Sequence, residues 1–186
     1  MDVQQLPSLP YDLPNEVFQK AKQVKLALFD VDGVLTDGGL RYTEAGEHIK
    51  TFHALDGHGL KMLKANGIAV AIISARSSAA LKRRLDDLGI EHQYLGAQRK
   101  LDIFATLIEK LGIEPHACCF TGDDVIDLAV MQACGLAFSV NNGHFLVQHY
   151  ADWVTPQAGG AGAVRAICDV LLYASGSYPL GHTSGQ

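Results

Sequence analysis

Repeated alternation between short apolar runs and helical segments constrains this chain more than any other feature. Residues 25–30 (KLALFD), 68–73 (IAVAII), 117–122 (ACCFTG) and 136–140 (LAFSV) are such runs, and 92–96 (HQYLG) is a more polar fifth. Unbroken apolarity over so few residues marks strands covered on both faces. Between them lie helical patterns at 60–67, 77–88, 100–111 and 125–133, each stopping at or near a glycine: Gly67, Gly89, Gly112 and Gly135. Right-handed crossovers carry each helix onto a sheet face, so the expected class is α/β, a parallel sheet with helices on both faces.

The rest of the chain fits around that unit. Residues 1–14 carry three prolines and read as an N-terminal arm. Asn15 is placed to cap a helix running to about Gln23. Residues 39–43 and 48–53, around EAGE at 44–47, read as a β-hairpin spanning about 38–53. Residues 163–174 (AVRAICDVLLYA) form the last helix, with Val164, Ile167, Val170 and Leu171 on its core face. A flexible Gly/Ser/Pro-rich tail follows at 176–186. One domain over 15–175 is expected, which suits 186 residues.

Bulk properties exclude several classes. A formal charge of −5 disfavours a nucleic-acid partner but leaves a small anionic substrate open. The longest uninterrupted apolar run is 68–73, far short of the ~20 residues that span a bilayer. The first residues lack a basic start and an apolar stretch, so a cytoplasmic protein without a membrane partner is expected. The four cysteines show no CxxC spacing, and Cys118 and Cys119, adjacent in one strand, point to opposite faces. They read as buried free thiols. The eight histidines form no HxH or HExxH array, so zinc is not expected.

In open parallel sheets, ligands sit beyond the carboxyl ends of the strands. Asp30 ends the run 25–30 and Asp32 lies just past it, Ser74 and Arg76 follow 68–73, and Asp123, Asp124 and Asp127 follow 117–122; Lys100 opens a helix nearby. Carboxylates gathered at one rim are costly unless a cation neutralises them. Hard oxygen ligands in small number suit Mg²⁺. The same rim offers a nucleophile, a proton donor and cations for a phosphoryl group.

DVDGVLT (30–36), IISAR (72–76), Lys100 and GDDVID (122–127) resemble, in order and spacing, the four motifs of the haloacid dehalogenase-like phosphatases. FHALDGHGLK (52–61) and GGAGAVRAICDVLL (159–172) narrow the resemblance to a capless branch, the 3-deoxy-D-manno-octulosonate 8-phosphate phosphatases of lipopolysaccharide precursor synthesis. The resemblance covers 16–174 and implies a Rossmann-like sheet with a hairpin insertion and no cap domain. It implies a homotetramer whose hairpin helps close a neighbour's site, and a phosphorylated sugar acid as substrate.

Carried over position by position, the resemblance makes Asp30 the nucleophile and Asp32 the general acid and base. Ser74 and Lys100 stabilise the phosphoryl group. Mg²⁺ is held by Asp30, the main-chain carbonyl of Asp32, and Asp123, while Asp127 orients the metal shell or Lys100. Besides Asp32 and Lys100, the sugar-acid contacts implied are His53, Ala54, Leu55, Asp56, Gly57, Lys61, Arg76 and Arg84. Leu55 stands where family members commonly carry arginine, and ISAR where they carry ITGR. Ser74 also reads as a cap for the helix after it, Asp123 and Asp127 as helix N-terminal acids, and GGAG as a turn rather than a phosphate loop. A nonulosonic acid 9-phosphate phosphatase, a phospho-acceptor switch and an inactive scaffold are the competing functions. Asp32 argues against the switch, whose aspartyl-phosphate has to persist.

Overall fold

The computed structural model describes residues 7–178 apart from Ala45; the tail expected at 176–186 and the first six residues of the arm lie largely or wholly outside them. Six strands form one all-parallel sheet: β1 (Leu26–Phe29), β4 (Ala69–Ser74), β5 (His92–Leu95), β6 (Cys118–Gly122), β7 (Leu136–Ser139) and β8 (Trp153–Val154). Their order is β5-β4-β1-β6-β7-β8. The chain winds outward from β1 through β4 to β5, then returns to the other side of β1 at β6. That reversal opens a crevice past the carboxyl ends of β1, β4 and β6.

Alternating side chains divide the core between two faces. Ala27 and Phe29 pack with Leu60, Leu63, Leu81, Leu85, Ile167 and Leu171 under α1 (Asn15–Ala21), α2 (Ala54–Ala65), α3 (Ala79–Asp87) and α7 (Ala163–Ala174). Leu26 and Leu28 pack with Phe104, Leu107, Val130 and Val147 under α4 (Lys100–Leu111), α5 (Leu128–Ala133) and α6 (Phe145–Tyr150). Cys118 and Cys119 fall on opposite faces, as strand geometry requires, and all four cysteines are free. Residues 9, 11 and 13 of the arm pack on the first core, and Trp153 Nε1 donates to the Asp12 carbonyl at 3.3 Å.

Several boundaries differ from expectation. Pro14, not Asn15, occupies the cap position of α1; Asn15 lies inside the helix and its Oδ1 accepts from Gln19 Nε2. The hairpin is tighter, with β2 at Arg41–Thr43 and β3 at Gly46–Ile49. Ser78, not Ser74, caps α3, accepting from Leu81 N at 3.2 Å. The segment 125–133 begins as a 3-10 turn before α5, because Asp124 and Asp127 form a reciprocal capping box around it. Helix α6 and the two-residue β8 were not anticipated; both are too short to carry a readable period. Between β1 and α2 the described insertion is the hairpin alone, with no cap domain.

Candidate active site

Asp30 follows β1 directly, and its N–H extends the ladder to β6 by donating to the Thr121 carbonyl at 3.0 Å. Past it the chain folds into a tight loop pinned by Thr36. The Thr36 hydroxyl accepts from Gly33 N and Gly38 N, both at 3.3 Å, and donates to the Val31 carbonyl at 3.4 Å. Gly33 has φ +92°, and a Cβ there would lie 2.0 Å from Asp123 Oδ2, so glycine lets the two strand-end loops touch. The GGAG segment braces this loop from behind: Gly160 N donates to the Val34 carbonyl at 3.0 Å, and a Cβ on Gly159 would sit 1.6 Å from the Gly33 carbonyl oxygen. It is a buttress for the acidic loop.

Lys100 opens α4 and turns inward, its side chain 3% exposed. Its Nζ lies 2.9 Å from Asp30 Oδ2 and 2.7 Å from Asp127 Oδ1. Asp127 Oδ2 accepts from Asp123 N at 3.1 Å and Asp124 N at 3.4 Å. Asp127 thus shapes the loop that carries Asp123 and fixes Lys100 at once. Burial costs the ammonium, but the Asp30 and Asp127 charges outweigh that and raise the Lys100 pKa.

Burial first, then the Asp127 charge, pushes the Asp30 carboxyl up to about 6 despite Lys100. Burial, followed by the charges of Asp30, Asp127 and Asp124, pushes Asp123 up to about 7. Two acids destabilised in their ionised form, facing each other, call for positive charge.

Asp32 occupies the far side of the loop. Its Oδ1 pairs with Lys50 Nζ, and Arg76 Nε stands 3.9 Å from Oδ2. Arg76 Nη1 in turn donates to the Tyr42 hydroxyl of the hairpin at 3.1 Å. Ser74 ends β4 buried, and its Oγ accepts from Arg76 N at 3.3 Å. A cleft of about 340 Å³ is lined by Asp30, Asp32, Ser74, Arg76, Asp123 and Asp124, with Gly38, Leu40, Ala75 and Ile126.

The remaining expected contacts stand elsewhere in the single chain. Asp56 is buried, and its Oδ1 accepts from Arg165 N at 2.8 Å, so it caps α7. Gly57 brings α2 against α3: a Cβ there would lie 2.2 Å from Arg84 Nη2. Arg84 itself stands over the Phe52 ring at 5.8 Å. His53 precedes α2, while Ala54, Leu55 and Lys61 are exposed on it. None of these lines the cleft, because the start of α2 faces α3 and α7. Sequence reasoning missed Lys50 and Tyr42. The one signal was alternation along the hairpin, which turns Lys50 inward beside an exposed Ile49.

The donor set fits a hard divalent cation. Oxygens of Asp30, Asp123 and Asp127 lie within 4.8 Å of one another, and Asp123 Oδ1 is buried without a hydrogen-bond partner. Asp127 is already committed to Lys100 and two main-chain N–H groups, so Asp30 and Asp123 are the carboxylates that would hold such a cation.

Residues 47–135 match the haloacid dehalogenase-like hydrolase family model. The chain is 43% identical to the 3-deoxy-D-manno-octulosonate 8-phosphate phosphatase KdsC of Escherichia coli K12, over 92% of this chain and 90% of that one. It belongs to the 3-deoxy-D-manno-octulosonate 8-phosphate phosphatase family. Solved structures agree with this membership. A phosphatase of this family from Moraxella catarrhalis, in complex with magnesium, phosphate and a KDO molecule, superposes with TM-score 0.85 at 44% identity, covering 87% of this chain and 93% of that one. One from Yersinia pestis gives TM-score 0.86 at 39% identity, covering 88% of both. These phosphatases superpose over most of the chain, so they share the fold described above.

Proposed function

We propose that the chain hydrolyses 3-deoxy-D-manno-octulosonate 8-phosphate to the free sugar acid and phosphate through an aspartyl-phosphate on Asp30. The observation that carries this is Asp30 itself, buried at the floor of the cleft with Lys100 Nζ 2.9 Å from Oδ2 and Asp123 opposite. A carboxylate so placed is a nucleophile held on line, not a surface charge.

A carboxylate oxygen of Asp30 bonds to phosphorus as the ester P–O bond breaks, and Asp32 gives its proton to the departing sugar oxygen. Asp32 then takes a proton from the water whose oxygen attacks phosphorus, which releases phosphate and restores Asp30. Ser74 donates its O–H to a phosphoryl oxygen, and Lys100 offsets the growing charge. Mg²⁺, held by the Asp30 and Asp123 carboxylates and the main-chain carbonyl of Asp32, supplies positive charge that lets two anions approach. Arg76, on the cleft wall, offers a planar cation to the sugar carboxylate. Leu55 lies outside the cleft, so its difference from the family's arginine leaves these groups untouched.

The reading includes a cytoplasmic homotetramer. Among the described residues no helix is long and apolar enough to cross a membrane. Tyr42 and Ile49 on the hairpin are 60% and 55% exposed, an apolar surface suited to a second copy. Release of phosphate from 3-deoxy-D-manno-octulosonate 8-phosphate, with Asp30→Asn as control, tests the activity. Equal turnover in that variant would refute it.

A further inference from the structure

The geometry points to Lys50 as a positioning residue that divides the two oxygens of Asp32 into an anchored one and a working one. The inference rests on the phosphatase reading above, and it gives the hairpin a task inside its own subunit.

The Lys50 side chain is 2% exposed. An ammonium buried to that degree needs a paired charge, and Asp32 Oδ1 provides one. Lys50 is absent from the cleft lining, whereas Asp32 belongs to it. The lysine therefore reaches the carboxylate from behind and acts through it, not on the ester. The other oxygen, Asp32 Oδ2, is buried and has no hydrogen-bond partner. Arg76 Nε, at 3.9 Å, is too distant to capture it.

Asp32 stands in a loop past the strand end, where a short side chain has several rotamers to choose from. Proton delivery to the leaving oxygen and proton removal from water both demand one oxygen in one place. Anchoring Oδ1 meets that demand and leaves Oδ2 for the proton. The neighbouring strand supports the same geometry, since Tyr42 bonds Arg76 and keeps the guanidinium beside Asp32.

The test compares wild-type protein with Lys50→Met and Lys50→Arg on two substrates. One is 3-deoxy-D-manno-octulosonate 8-phosphate; the other is an aryl phosphate whose leaving group departs without protonation. For Lys50→Met, kcat on the sugar phosphate falls on the order of 10–100-fold with KM unchanged. On the aryl ester the first-turnover burst survives while steady turnover slows, so phosphorylated enzyme accumulates. Lys50→Arg recovers most of the kcat. If thermal melting shows that the methionine variant is misfolded, Lys50→Gln is read in its place. Wild-type kcat in a folded variant overturns the inference; so does a rise in KM alone, or loss of the burst together with turnover. Where Asp30→Asn is inactive and Lys50→Met fully active, only the role of Lys50 fails; where Asp30→Asn stays active, the phosphatase reading fails first.

Discussion

Lys100 and Asp127 form an ion pair at 2.7 Å with side chains only 3% and 0% exposed, and this pair joins α4 to the loop that carries Asp123. A buried pair of this kind adds little net stability over apolar packing, but removing one partner strands the other. Asp127 has a second duty, accepting two main-chain N–H groups through Oδ2. Asp127→Ala therefore takes from Lys100 one of its two carboxylates and orphans two main-chain donors, and is expected to destabilise the fold by about 1–3 kcal/mol per orphaned donor in urea unfolding. Asp127→Asn keeps an oxygen for one set of partners and should cost about 1–3 kcal/mol. Both should lower kcat on the order of 10–100-fold, since Lys100 then leans on Asp30 alone.

The raised carboxyls of Asp30 and Asp123 give the metal-free protein a pH dependence of definite sign. A group whose folded pKa lies above its unfolded value binds protons more tightly when folded, so lowering the pH stabilises the fold. With folded values of about 6 and about 7 against an unfolded 3.8, the gain accrues as pH falls from about 7 toward about 4. Metal-free protein should melt at higher temperature at pH 5 than at pH 8. Adding Mg²⁺ should raise the melting temperature most at pH 8, where protons compete least for the same oxygens. A chelated sample that melts lower at pH 5 than at pH 8 contradicts this.

Gly33→Ala attacks the contact between the two acidic loops. The new methyl would meet Asp123 Oδ2 at 2.0 Å on a backbone with φ +92°, so Asp123 has to move. Displacement of a ligand by about 1 Å commonly costs on the order of 10²-fold in rate. The expected result is a folded protein with kcat down by about that factor and a higher Mg²⁺ requirement, read by titrating the metal during turnover.

Much of this was legible in the sequence for a physical reason. Strands buried on both faces write themselves as continuous apolar runs, so β1, β4 and β6 and the polar residues at their ends stand out in the chain. Short elements do not: α6 spans six residues and β8 two, too few for a period. Lys50 was illegible because a lysine on a hairpin normally faces water, and only the fold turns it toward Asp32. The resemblance assigns His53, Asp56, Gly57 and Arg84 to the sugar acid, yet in one chain Asp56, Gly57 and Arg84 serve the α2–α3–α7 seam. Family motif and local packing act on the same residues, and sequence alone does not separate them.

Ile49 ends β3 and Lys50 follows it, with opposite fates: Ile49 is 55% exposed, and the Lys50 side chain is buried against Asp32. A substitution at Ile49 therefore alters the outer face of the hairpin and spares the inner one. Ile49→Asp places a charge where the proposed interface buries an apolar side chain, a cost of several kcal/mol per copy that recurs around a symmetric ring. Sedimentation velocity should show Ile49→Asp shifting to species smaller than the wild-type oligomer, with the monomer still folded by circular dichroism. A variant that sediments as wild type would place the interface on another surface, while a smaller species that keeps its kcat would show that the neighbour is dispensable for chemistry.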